Sequence, residues 1–134
     1  MIAGDGEVVA RVSSMDNVHP WTKTGVMIRG SLSPSAPQAF MLVSSGKGAA
    51  FQRRPSAGGP STSTPAGTGT APAWVRLVRE GSLITAYTSA DGVSWTVVDQ
   101  DTLAISGSVY VGLAVSSHDV THAASATFDG VIVR

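Results

Sequence analysis

Residues Ser82–Gln100 read SLITAYTSADGVSWTVVDQ, and the folding of this stretch decides the reading of the whole chain. Ser, Asp, Gly and Trp crowd the seven positions from Ser89 to Trp95, a composition that would also suit a sugar-gripping or catalytic loop. Turn chemistry accounts for all four without a ligand. Asp91-Gly92 is a hairpin pair, because the turn needs a positive φ that Gly supplies without steric cost. The Asp91 carboxylate can accept backbone N–H groups across the turn, and the Ser89 hydroxyl can do the same from the other side. Trp95, on the returning strand, is expected to lie across the base of the turn and bury its apolar face. A lone carboxylate here has no acid/base partner. The stretch is therefore predicted to be an alternating strand, a tight turn and a returning strand.

Working outward, the same pattern recurs. Gly6–Ser14 alternates around Val8, Ala10 and Val12, and Lys23–Ser31 sets Val26 and Ile28 against Met27 and Arg29. Ala39–Gly46 is a nearly continuous apolar run, predicted to be a strand buried on both faces, and Gly48–Arg54 returns from it across a Gly-Lys-Gly turn. Ser31–Pro37 is punctuation between strands. Pro55–Ala73 is rich in Gly, Ser, Thr and Pro, and two readings apply. It is a flexible linker, or a long excursion carrying one edge strand near Ser61–Thr64. Neither flank can make a stable sandwich alone, so the excursion is preferred, with one domain over residues 1–134. Ala73–Gly81 is a strong strand, while Val109–His118 and Ser125–Arg134 are predicted to close the sheet. No window has a helical apolar pattern. The fold expected is all-β, a sandwich or barrel.

Composition narrows function by exclusion. Charged residues make up 13% of the chain, about half the ~25% of average globular domains. Nine basic and nine acidic side chains cancel, so no basic field exists to draw nucleic acid or an anionic membrane, and neither is an expected partner. The absence of cysteine removes disulfides, thiolate zinc sites and thiol catalysis. No apolar run reaches the ~18 residues of a membrane span, and the first residues lack the pattern of a signal peptide.

The ordered series GDGEVVARVSS, KTGVMIRGS, FQRR, WVRLVREGSLITAYTSADGVSWTVV, VYVGLAVSSH and ATFDGVIV resembles the concanavalin A-like lectin/glucanase superfamily. More narrowly, it is similar to the laminin-G-like jelly-roll modules of secreted bacterial multidomain proteins. The likeness runs from about Asp5 to Val133. It implies an antiparallel β-sandwich, an extracellular or cell-surface parent protein, and a hairpin role for S-x-D-G-x-x-W. That segment is also similar, one residue short, to the Asp-box turn of β-propeller enzymes. Such modules usually carry further strands ahead of the part matched by GDGEVVARV, so an exposed edge and a homodimer through it are expected.

Candidate ligand-binding residues follow from position and chemistry. Trp21, beside His19 in a loop entering a strand, can stack on a sugar ring or anchor the loop on the core. Arg29, Gln52 and Arg54 are polar residues on apolar strands, suited to hydroxyls or a uronate carboxylate, or else to internal ion pairs with Asp99, Asp101 or Glu80. His118 and Asp119 follow a strongly apolar strand with His122 nearby. The His-x-x-x-His spacing does not share a face outside a helix, so no metal site is named. No cofactor is expected. The resemblance leaves calcium open, with Asp5, Asp16, Asn17, Asp119 and Asp129 as oxygen donors that lack EF-hand spacing. Trp74 and Arg76 share a strand face, and the resemblance implies that Trp74 is a core residue. The superfamily's glucanases carry closely spaced glutamates on one strand, whereas Glu7 and Glu80 stand far apart here. The chain is therefore expected not to be an enzyme but a carbohydrate-binding or adhesion module. A self-associating structural module is the alternative, and a glycoside hydrolase fragment a distant third.

Overall fold

Ten strands alternate with short turns: β1 (Gly6–Met15), β2 (Lys23–Arg29), β3 (Gln38–Ser44), β4 (Ala49–Arg54), β5 (Thr62–Pro65), β6 (Ala73–Glu80), β7 (Leu83–Ser89), β8 (Thr96–Thr102), β9 (Tyr110–Ser116) and β10 (Ala126–Val133). The computed structural model describes residues 2–16, 20–67, 71–117 and 123–134, and no helix occurs among them. The strands form two antiparallel five-stranded sheets, ordered β10-β1-β6-β7-β8 (sheet I) and β5-β4-β3-β2-β9 (sheet II). β1 lies over β2, β6 over β2 and β3, β7 over β3, and β8 over β4 and β5. The chain is an antiparallel β-sandwich, as its alternation predicts.

Period-two patterning supplies the core directly. Val8, Ala10 and Val12 of β1, Val75 and Leu77 of β6, and Ile84 and Ala86 of β7 meet Val26, Ile28, Met41, Val43 and Phe51 of sheet II, all buried. Each large side chain so buried stabilises the fold by roughly 1.5–3 kcal/mol before conformational entropy is charged against it. β3 is buried on both faces, as its unbroken apolar run requires. Its outward Phe40 and Leu42 pack with Ala50, Met27 and Ala114. The 55–73 segment is the excursion, and its strand β5 pairs with β4 at the sheet edge.

One side of the sandwich is closed by charge rather than by hydrocarbon. Arg53 shares the inner face of β4 with Ala49 and Phe51 and is buried. Its Nε donates to Asp101 Oδ2 at 3.1 Å and its Nη2 to Asp99 Oδ2 at 3.4 Å, both across the sheets on β8. Nη1 donates to Thr64 Oγ1 at 2.6 Å, and that hydroxyl donates in turn to Asp99 Oδ2 at 2.7 Å. The guanidinium also lies over the Phe51 ring, 4.9 Å from its centre. β4, β5 and β8 are thus tied through one side chain.

Two expectations are corrected. β9 and β10 do not close a sheet; they are the outer strands of different sheets on the same side of the sandwich. Trp74 is not in the core. The β1–β6 register places Val75 inward opposite Ala10, so Trp74 faces out. Its ring fills the space over two glycines, and a Cβ on Gly92 or Gly130 would approach it to 2.6 and 2.5 Å. Trp95 meets it edge-on, with ring centres 6.5 Å apart. It is therefore Trp74, seconded by Trp95, that lies against the hairpin turn.

The turn itself is built as the sequence requires. Asp91 Oδ1 accepts the N–H groups of Val93 and Ser94 at 2.8 and 2.9 Å, and Ser89 Oγ accepts those of Asp91 and Gly92 at 3.2 and 2.9 Å. Gly92 has φ +77°. Gly92→Ala would combine a left-handed backbone with a clash against Trp74, so a loss of at least ~1–2 kcal/mol is expected. Arg53→Ala should cost about 2–3 kcal/mol, short of the ~3–5 for a fully buried pair because both carboxylates are partly exposed. Urea unfolding monitored by tryptophan fluorescence measures both, and an unchanged midpoint in either variant would contradict the corresponding assignment.

Candidate functional site

The outward face of sheet II gathers three of the residues singled out from sequence. Strand pairing aligns Tyr110, Arg29, Gln38 and Arg54 in one row across β9, β2, β3 and β4. The next row is Gly112, Met27, Phe40, Gln52 and Ser63. At ~4.8 Å per strand the first row spans about 14 Å and the second about 19 Å. Met27, Arg29, Leu32, Tyr110, Val111, Gly112 and Leu113 line a groove of about 210 Å³ at the β2–β9 end. That is below the ~300 Å³ where drug-sized sites begin, and it suits one small ring or the edge of a chain.

Arg29 and Arg54 hold the rim of this face. Arg29 donates from Nε to Ser31 O at 3.2 Å, from Nη2 to Ser33 O at 2.6 Å, and from Nη1 to the Gln38 side-chain oxygen. Arg54 donates from Nε to Ala36 O at 2.9 Å and from Nη2 to Pro34 O at 2.6 Å. The proline-punctuated 31–37 loop has too few backbone partners of its own, and the two guanidinium groups supply them. Gln52, half-buried beside Phe40, makes no side-chain hydrogen bond with a described residue. The anticipated ion pairs with Asp99 and Asp101 fall to Arg53 instead.

Trp21 stands apart from this rim. It precedes β2 at the opposite end from Arg29, which at ~3.3 Å per residue is about 20 Å along the strand. The Lys23 ammonium lies 5.7 Å from its ring centre. His118 and Asp119, with His19, His122 and Asn17, fall outside the described residues. Of the remaining oxygen donors, Asp5 accepts the Gly81 N–H, Asp16 accepts the Ser125 N–H, and Asp129 pairs with Arg11 at 2.8 Å. No group of three or more His, Cys, Asp or Glu that could hold a metal occurs among the described residues.

Sheet I carries a second polar–aromatic cluster that sequence reasoning missed. Arg76 on β6 donates twice to Glu7 Oε2, at 3.0 Å from Nε and 2.6 Å from Nη2, while Arg134 donates to Oε1 at 2.9 Å. The Arg76 guanidinium also lies 4.9 Å from the Tyr87 ring centre and 5.5 Å from that of Trp95. Burial pushes the Glu7 carboxyl up, but the hydrogen bonds and charges of Arg76 and Arg134 outweigh it and hold the group below its ordinary 4.5. Glu7 and Glu80, far apart in sequence, border one open groove of about 500 Å³ with Asp5, Arg76, Arg79 and Arg134. The signal was present in the period-two spacing of Trp74 and Arg76, which puts both on one strand face.

Comparison with known proteins supports the fold and leaves its use open. No protein-family model and no curated protein matches the sequence. Among solved structures, the chain is similar to a functionally unknown protein from Saccharomyces cerevisiae, with a TM-score of 0.71 at 18% identity over 99% of this chain and 70% of that one. It is also similar to a mutant of the GH43 protein BlXynB from Bacillus licheniformis, with a TM-score of 0.68 at 15% identity. There the match covers 93% of this chain and 26% of the other.

The carboxylates set a pH dependence. Asp91 is held below its ordinary 3.8 by the N–H groups of Ser94 and Val93 and the Ser89 hydroxyl, and Asp99 by the Thr64 hydroxyl, the Gln100 N–H and Arg53. Folded values below unfolded ones mean stability that is present above the ordinary values and lost as pH falls. These three groups should leave the unfolding free energy flat above about pH 5 and reduce it as pH drops through 4.5 and 3.8. Chemical denaturation at a series of pH values checks this, and a midpoint that holds constant to pH 3 would contradict it.

Proposed function

We propose that the chain is a non-catalytic carbohydrate-binding module of a larger extracellular or cell-surface protein, a jelly roll of the concanavalin A-like kind, that takes a glycan along the outward face of sheet II. The observation that carries this reading is the groove between β2 and β9, where Tyr110 and Met27 present apolar surface beside side chains rich in donors. A sugar ring offers an apolar C–H face and a rim of hydroxyls, and an aromatic next to amide and guanidinium groups complements both. Arg29 and Arg54 keep N–H groups beyond those that hold the 31–37 loop, because a guanidinium carries five. The module reading gains support from the GH43 protein, in which the similar fold makes up about a quarter of a longer chain.

The state of Glu7 unsuits it for the general-acid role. Glycoside hydrolysis needs one carboxyl raised so that it can act as a general acid, whereas Glu7 is held low by two arginines. The test is binding to a panel of polysaccharides by calorimetry, with calcium and again with EDTA to read any metal requirement. Tyr110→Ala and Gln52→Ala leave the arginine-held loop intact and should each weaken binding tenfold or more with the fold unchanged. Folded protein that binds nothing on the panel, or that binds equally well in both variants, would overturn the proposal.

A further inference from the structure

The chain is neutral as a whole, but its charges are sorted between the two sheets. From Asn17 to Arg79 there is no aspartate or glutamate, while every basic residue except Arg11 and Arg134 falls in that span. Strands β2, β3, β4 and β5 lie wholly inside it, and β9, the remaining strand of sheet II, carries no charge. Sheet II therefore holds Lys23, Arg29, Arg53 and Arg54 with no carboxylate on its strands. Among the described residues the carboxylates stand on β1, β6, β8 and β10 of sheet I and in the segments beside them.

Ion pairing divides the arginines in the same way. Arg11, Arg76 and Arg134 meet carboxylates within sheet I, and Arg53 reaches inward to those of β8. Arg29 and Arg54, on the outward face of sheet II, meet none. Their described partners are backbone carbonyls, the Gln38 side-chain oxygen and the Met27 sulfur. Those dipoles fix where each guanidinium points and leave its charge uncompensated. Arg54 Nη1 has no partner among the described residues, and Arg29 makes four contacts with five N–H groups. The two arginines share the row that runs Tyr110, Arg29, Gln38, Arg54, with one strand between them. Their charges thus enter roughly 10 Å apart. Arg29 also walls the groove beside Tyr110 and Met27, where apolar neighbours reduce solvent screening and favour an anion more than open surface does.

Resting on the glycan reading above, we infer that the ligand of sheet II is an acidic polysaccharide, whose carboxylate or sulfate groups are met by Arg29 and Arg54 while a sugar ring lies against Tyr110 and Met27. Neutral glycans bring hydroxyls, which leave both charges uncompensated. An oxyanion offsets them and makes charge-assisted hydrogen bonds about twice as strong as neutral ones. A polymer is required, because a ring seated in the groove at Arg29 stands two strands away from Arg54.

Polygalacturonate and its fully methyl-esterified form share a backbone and differ in charge, and so do dextran sulfate and dextran. Calorimetry with the wild-type chain should show about tenfold or tighter binding to the charged member of at least one pair, and the responding pair identifies the group bound. Raising salt from ~0.01 to ~1 M shortens the Debye length from ~30 to ~3 Å and should erase that preference. Arg54→Gln should weaken the charged member about fivefold, while Arg54→Lys, which keeps the cation, should retain the preference. Equal binding within each pair, a preference untouched by salt, or binding confined to neutral glycans would overturn the inference and leave the glycan reading standing. A single-stranded oligonucleotide bound as tightly as the acidic polysaccharide would also overturn it, since the face would then read charge without a sugar. Silence toward both pairs and toward every neutral glycan would strike the glycan reading as well.

Discussion

A single buried guanidinium sets how this sandwich is closed. Arg53 stands where the alternation of β4 calls for an apolar residue, and it survives there because Asp99, Asp101 and Thr64 converge on it from β8 and β5. A charge so placed is tolerable only when its donors are satisfied. Its partners must therefore be held in position, which in turn fixes the excursion that carries β5 and the bulged course of β8. Charge ties one side of the sandwich together, whereas the described residues of β9 and β10 on the opposite side carry a single charge, Asp129, engaged by Arg11.

The groove of sheet II lies at the β2–β9 end, away from the Arg53 cluster. The arginines of the outward face then serve as framework, holding the 31–37 loop over the groove, while Tyr110 and Gln52 offer groups with no partner among the described residues.

Most of the fold was legible because period-two alternation reports burial directly. Val8, Ala10 and Val12 point inward as read, the unbroken apolar run of β3 is buried on both faces, and the Ser-Thr stretch of the excursion is an edge strand. The Asp91-Gly92 hairpin was legible at the level of individual hydrogen bonds, since a turn is a local object. What escaped depends on partners distant in sequence. Arg53 stood between Gln52 and Arg54, the two residues chosen, and its carboxylates lie 46 and 48 positions away. The resemblance makes Trp74 a core residue, whereas the structure sets it on the outer face of sheet I. Nothing local announces that Gly92 and Gly130 leave room for it on the outside. Glu7 and Arg76 lie 69 positions apart, and only the β1–β6 register brings them together.

The central claim is that the Arg53 cluster closes one side of the sandwich by joining β4, β5 and β8. Hydrogen–deuterium exchange of the native protein and of Arg53→Ala tests it most directly. The account expects amides of β4 and β8 to exchange slowly in the native protein and to lose protection in the variant, while those of β1 and β6 keep theirs. Protection of β8 that survives the substitution, or an equal loss across both sheets, would contradict it.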